Sequence, residues 1–117
     1  MTTIIIRFQL EGFHNFPKAK ELFPEVSFLS ERHRHIFFFE CEKEVFHDDR
    51  DVEFILFKRE ILKYLKDNYL DLGSKFKTCD FRGMSCEMIA KELLEQFELV
   101  SCSVFEDGEN GAIVERI

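Results

Sequence analysis

Two histidines separated by one residue, His33 and His35 in "SERHRHIFFFE", open an otherwise apolar run. Successive side chains of an extended chain point to opposite faces, so these two imidazoles share a face and stand side by side. Two neighbouring imidazoles can bind one metal ion. A third, His14 in "GFHNF", lies just past the first apolar segment and approaches the same spot if the first two strands pair. Three imidazoles with an open fourth position make a catalytic-type zinc site, whereas a closed structural site uses four protein ligands. The oxygen-rich cages suited to calcium or magnesium are absent from the sequence. The competing reading is plainer: two half-buried strand histidines and one loop histidine.

The elements that must position these rings are legible in outline. "TIIIRFQL" (3–10) is β-branched and apolar and predicts a strand. Residues 11–32 hold both prolines, Pro17 and Pro24, and predict a long connection with one helical turn around "AKELF". Long ordered connections in small domains are often functional. "HRHIFFFECEKEV" (33–45) predicts the second strand, with His33, His35, Phe37, Phe39 and Cys41 on one face and Arg34, Ile36, Phe38, Glu40 and Glu42 on the other. "HDDRD" (47–51) reads as a solvated turn with Asp51 capping the next helix, its acids complementing the helix N-terminus. Apolar residues at helical spacing, Phe54, Phe57, Ile61 and Leu65, predict an amphipathic helix over 53–69. Residues 70–83 read as loop. Ser85 caps a second helix whose face is Ile89, Ala90, Leu93, Leu94 and Phe97. "LVSCSVFE" (99–106) predicts a third strand, "DGEN" with Gly111 a hairpin turn, and "AIVERI" a fourth strand. The order β-β-α-α-β-β predicts an α+β fold: a four-stranded antiparallel sheet with two helices on one face.

Length and charge bound the function. A chain of 117 residues makes one domain, 1–117, with one core. A net charge of −7 argues against non-specific binding to nucleic acid or to an anionic membrane, since both need a basic footprint. No apolar stretch approaches the roughly 20 residues of a membrane span. "MTTIIIRFQ" does not read as a secretory signal. The four cysteines, Cys41, Cys79, Cys86 and Cys102, form no CxxC pair. Together these features predict a cytoplasmic protein with reduced thiols. Most of the 15 phenylalanines alternate within strands or recur at helical spacing, which assigns them to the core.

Four segments in order give the chain a resemblance to the 6-pyruvoyltetrahydropterin synthase and 6-carboxytetrahydropterin synthase family. They are "FQLEGFHNF", an aromatic strand end leading to a lone histidine; "HRHIFFFE", where the family usually shows HGH before an aromatic; "DVEFILFKREI", which looks like the family's G-x-V-x-D-F-x-x-L-K; and "MSCEMIAKELLEQF" followed by "CSVFED", similar to P-T-x-E-N-x-A-x-x-I-x-x-x-L and V-x-V-x-E-T. The resemblance spans nearly the whole chain. It implies the tunnelling fold (T-fold), assembly as a homohexamer of two stacked trimers with sites at subunit interfaces, and Zn2+ held by His14, His33 and His35. It also implies that Glu106 grips the N–H edge of a pterin, with Glu87 near the same pocket or structural at the helix cap. A carboxylate suits the first role, because its two oxygens accept from two adjacent ring N–H donors. Short divergent relatives of this kind occur in phage genomes, which would place the protein in a host cytoplasm.

The chain also departs from the family pattern. The family's cysteine before HxH, a general base, has no counterpart in "PEVSFLSER". The Asp–His pair that follows the family's first helix is reduced to Asp71 in "YLDLGSKFKTCD". Cys79, and His47 beside Asp48 and Asp49, are the other candidates for acid–base work. Cys79 equally fits as a small apolar core residue. Arg34, in place of the family's glycine, sits on the face opposite the histidines. Two functions follow. One is a zinc-dependent carbon–oxygen lyase acting on a dihydroneopterin triphosphate-like substrate. The other is a non-catalytic oligomer that sequesters or senses a pterin- or purine-like small molecule. A purely structural oligomer is the third reading.

Overall fold

A computed structural model describes the chain except residues 74, 76, 77 and 117. Two 13-residue strands, β1 (Thr2–His14) and β2 (His33–Val45), pair antiparallel along their full length. They are joined by a short helix α1 (Ala19–Leu22) and a 3-10 segment (Pro24–Ser30). Helix α2 (Phe54–Tyr69) follows, then the two-residue strand β3 (Cys79–Asp80), helix α3 (Cys86–Gln96), and the hairpin β4 (Ser101–Glu106) and β5 (Asn110–Glu115). The sheet order is β3-β1-β2-β4-β5. The fold is α+β, with the helices on one face of the sheet.

Three expectations are corrected. The sheet has five strands rather than four and is mixed, because Cys79 and Asp80 pair parallel with Gly12 and Phe13 inside what reads as loop. A two-residue strand has no periodicity to detect. The first strand does not end at Leu10 but continues to His14, so His14 is a strand residue. Finally, the cap of α2 is Glu53, whose carboxylate accepts from Leu56 N at 2.8 Å, while Asp51 accepts from Phe46 N instead. Ser85 does cap α3, accepting from Met88 N at 3.2 Å.

The core lies between the helices and one face of the sheet. Phe37, Phe39 and Cys41 of β2 and Val104 and Cys102 of β4 meet Ile61 and Leu65 of α2 and Ile89 and Leu93 of α3. Each large side chain so buried contributes on the order of 1.5–3 kcal/mol. The two helices are also joined by polar contacts: Glu92 of α3 accepts from the hydroxyls of Tyr64 (2.8 Å) and Tyr69 of α2. Burial, then the Glu92 carboxylate, pushes the Tyr64 hydroxyl up to about 12. The helix-free face of the sheet exposes Ile5, Ile36, Phe38 and Ile113 among charged neighbours.

Gly12 connects this core to the histidines. It faces His35 across the β1–β2 ladder, and a Cβ placed on it would meet the rings of Phe37 and Phe81, each at 3.1 Å. Both rings are fully buried and stand edge to face at 5.1 Å, so neither can give way. Gly12→Ala is therefore expected to destabilise the protein by about 1–3 kcal/mol in urea unfolding. An unchanged midpoint would show that the ring pair yields more easily than its packing implies.

Candidate metal centre

The β1–β2 register places His14 directly opposite His33, and Gly12 opposite His35. One imidazole from β1 and two from β2 thus meet on the helix-covered face at one end of the long strand pair. Their ring centroids are 4.6, 4.9 and 5.2 Å apart, each pair edge to face. Phe37 supports the group from below, 5.2 Å from His14 and 5.7 Å from His35. One ligand atom from each of the three rings lies within 4.8 Å of the others.

Each ring is held by its Nδ1. In His14 it is 2.9 Å from the Met84 carbonyl, in His33 2.9 Å from the Glu31 carbonyl, and in His35 2.7 Å from a carboxylate oxygen of Asp107. Two carbonyls and a carboxylate can only accept, so Nδ1 carries the proton and Nε2 keeps the lone pair. Metal-binding histidines are oriented by this kind of outer contact. The Nε2 atoms of His14 and His35 are buried and have no aligned hydrogen-bond partner among the described residues. With the proton on Nδ1, neither buried Nε2 lone pair faces a donor among the described residues, which is costly. A divalent ion of zinc type would use those lone pairs, and the all-imidazole donor set suits it. The trio fits the metal that the resemblance implies.

A carboxylate stands beside the trio. Glu106, the last residue of β4, places Oε2 2.9 Å from His14 Nε2 and Oε1 3.7 Å from His35 Nε2. Burial lowers the pKa of His14, but the Glu106 carboxylate and the Met84 carbonyl outweigh it, so His14 titrates above the usual 6.5. Glu106 is held below the usual carboxylate range, first by His14, against the opposing effect of burial. His33 titrates low, chiefly through burial. In the metal-free protein, then, a proton on His14 competes with any metal.

Two of the three rings, His14 and His33, line a cavity of about 800 Å³, while His35 stands behind them. The cavity's apolar wall includes Phe16, Phe23 and Leu29 from the β1–β2 connection and Met84 and Met88 from around the start of α3. Glu87 and Glu106 both line it, as does Cys86. The Cys86 thiol is pushed up to about 12 by burial and then by the charges of Glu106 and Glu87, so it stays protonated near neutrality.

The other acid–base candidates lie elsewhere. Cys79 is buried in β3, its thiol 3.8 Å from the Leu65 carbonyl and raised to about 11 by burial. Asp71 is engaged by Arg32 at 2.6 Å and by the Gly73 N–H. His47 lies just past the far end of β2, whose last residue Val45 is ten residues along the strand from His35 and so about 33 Å away, and it pairs with Asp51 at 3.4 Å. None of the three lines the cavity. Arg34 reaches Glu11 across the sheet's other face at 2.9 Å. Sequence reasoning missed Asp107 and the Met84 and Glu31 carbonyls. The "D-G" turn carried the only signal for Asp107: its φ is 57°, a left-handed conformation that aspartate tolerates better than most residues. A backbone carbonyl carries no sequence signal.

No protein-family description and no curated protein matches this chain. Among the described residues, no helix is long and apolar enough to cross a membrane.

Three outcomes are expected. His35→Ala abolishes stoichiometric zinc uptake, read by elemental analysis after dialysis against zinc, while circular dichroism stays near wild type. Asp107→Ala weakens zinc by roughly tenfold to a hundredfold in a chelator competition, as loss of an outer contact typically does; wild-type affinity would make Asp107 a turn residue only. Zinc affinity falls as pH drops from 8 to 6, because the imidazoles must be neutral to bind and His14 holds its proton above 6.5. A flat profile across that range would show that no histidine proton is displaced.

Proposed function

We propose that this protein is a zinc-centred member of the 6-pyruvoyltetrahydropterin synthase-like T-fold group that binds a flat pterin- or purine-like molecule in the cavity beside His14, His33 and His35. The observation that carries this reading is the juxtaposition itself: three imidazoles tethered through Nδ1, two of which, His14 and His33, line a largely apolar cavity of about 800 Å³ with two carboxylates on its wall. Small-molecule sites have this size and this mixture of apolar walls with a few polar groups. Glu87 is exposed and carries no ion pair among the described residues, so its oxygens are available to ring N–H donors. Zinc in such a site supplies a Lewis acid that polarises ligand oxygens.

Between the lyase and the binding reading, the positions of Cys79, His47 and Asp71 favour binding. Proton abstraction needs a base within reach of the bound molecule. These three stand outside the cavity, and the one thiol that lines it, Cys86, is held protonated. The direct test is calorimetric titration of the zinc-loaded protein with neopterin, sepiapterin and guanosine. Saturable binding of at least one, weakened about tenfold by Glu87→Gln through loss of a charge-assisted bond, is expected. No binding of any of them would overturn the ligand reading.

Assembly is part of the proposal. β1 pairs with β3 only at Gly12 and Phe13, so the outer edge of Thr2–Glu11 is open among the described residues, and β5 is the other sheet edge. Open edges of this length pair readily, and closing sheets into a ring removes them. Light scattering at micromolar concentration is expected to give a mass several times the 14.0 kDa of one chain, with a hexamer as the proposed state. A monomer would contradict it.

A further inference from the structure

We infer that Glu106 is the fourth ligand of the metal in the ligand-free protein, so that the centre is closed by the chain itself rather than left open to solvent. This rests on the reading of the histidine trio as a metal site, but not on the identity of any bound small molecule.

The argument begins with distance. Donor atoms around a four-coordinate zinc, each about 2.0–2.1 Å from the ion, lie about 3.3 Å from one another. Glu106 Oε2 stands 2.9 Å from His14 Nε2 and its other oxygen, Oε1, 3.7 Å from His35 Nε2, so each oxygen lies near that separation from one of the two nitrogens. The three imidazoles alone gather within 4.8 Å of one another; Glu106 is in close contact with His14 and His35, and binding the ion requires its carboxylate to turn further toward the trio.

The chain also holds Glu106 in place. Its backbone lies opposite Phe37 in the β2–β4 ladder. The next residue, Asp107, donates its N–H to the Ile36 carbonyl at 2.7 Å and accepts the Ile36 N–H on its side chain at 2.9 Å. The same side chain accepts from His35 Nδ1. Consecutive residues of one turn therefore address the two nitrogens of one imidazole: Asp107 tethers Nδ1, and Glu106 faces Nε2. Sequence spacing leaves this hidden, because Glu106 and His35 are 71 residues apart and meet only through the β2–β4 register.

The charge balance agrees. An ion of charge +2 held by three neutral imidazoles in a half-buried pocket keeps its full charge, and one carboxylate ligand halves it. With Glu106 on the metal, Glu87 is the carboxylate left on the cavity wall for a ring N–H edge. An entering molecule that seeks the metal must displace Glu106.

The experiment uses Co(II) in place of zinc, because its visible absorption reports coordination, and azide as a probe for an open position. The full-length wild-type protein is expected to bind Co(II) in a four-coordinate spectrum that azide does not change. Glu106→Ala and Glu106→Gln are expected to bind Co(II) at least about tenfold more weakly, with a spectrum that azide shifts. If azide shifts the wild-type spectrum as it shifts the variants, or if the variants bind Co(II) as tightly as wild type, the metal centre stands and the role of Glu106 falls. If wild type takes up neither Co(II) nor Zn(II), the reading of the trio falls and this inference with it. The wild-type azide measurement decides the matter even if a variant fails to fold.

Discussion

The site depends on one register. His14 lies opposite His33 because β1 and β2 pair residue for residue from Thr2–Val45 to His14–His33. A slip of one residue would turn His14 to the far face of the sheet and bury Phe13 or Asn15 in its place. The register is fixed far from the histidines, by the apolar partners Ile6 with Cys41, Phe8 with Phe39 and Leu10 with Phe37. Phe8 and Phe39 stack at 4.6 Å, an offset pairing that a slipped register could not keep. The chemistry at one end of the strand pair is thus specified by packing along its length.

This explains what the sequence made legible. Alternation in "HRHIFFFEC" is strong, so the shared face of His33 and His35, and the Phe37–Phe39–Cys41 core beneath them, can be read directly. The helices carry clear apolar faces, and Ser85 stands immediately before one of them. His14 was harder. Gly12 interrupts the alternation of β1, and Asn15 and Pro17 follow closely, so the strand reads as ending early. The glycine instead marks a place where two phenylalanine rings occupy the space of a missing side chain. In "HDDRDVE" several acids compete for the same helix end, and composition cannot choose Glu53 over Asp51.

What the sequence concealed is of another kind. β3 exists because the backbone of Cys79 and Asp80 passes beside Gly12 and Phe13, a tertiary accident with no local pattern. The tethers of the imidazoles are two main-chain carbonyls and one turn aspartate. None is marked by residue type, because any residue offers a carbonyl and Asp-Gly usually means no more than a hairpin turn. The resemblance to a known family points at Glu106 as a carboxylate for a ligand's N–H edge, and the structure places the same carboxylate beside His14 and His35. A carboxylate at the end of β4 can serve a ligand or a metal, and its closeness to His14 and His35 is visible only in the fold.

All three imidazoles come from one antiparallel pair, within residues 14–35. All three nitrogen donors therefore leave the ribosome before either long helix has been made. An ion captured at that stage closes a loop of about 20 residues, a modest entropic cost that is otherwise met only by strand pairing. It also pins the end of the hairpin where the connection, with its two prolines, enters and leaves. The remaining tethers, Met84 and Asp107, arrive later and lock rings that are already gathered. The three side chains that define the site are thus together early in synthesis, at the end of the same strand pair whose apolar partners fix its register.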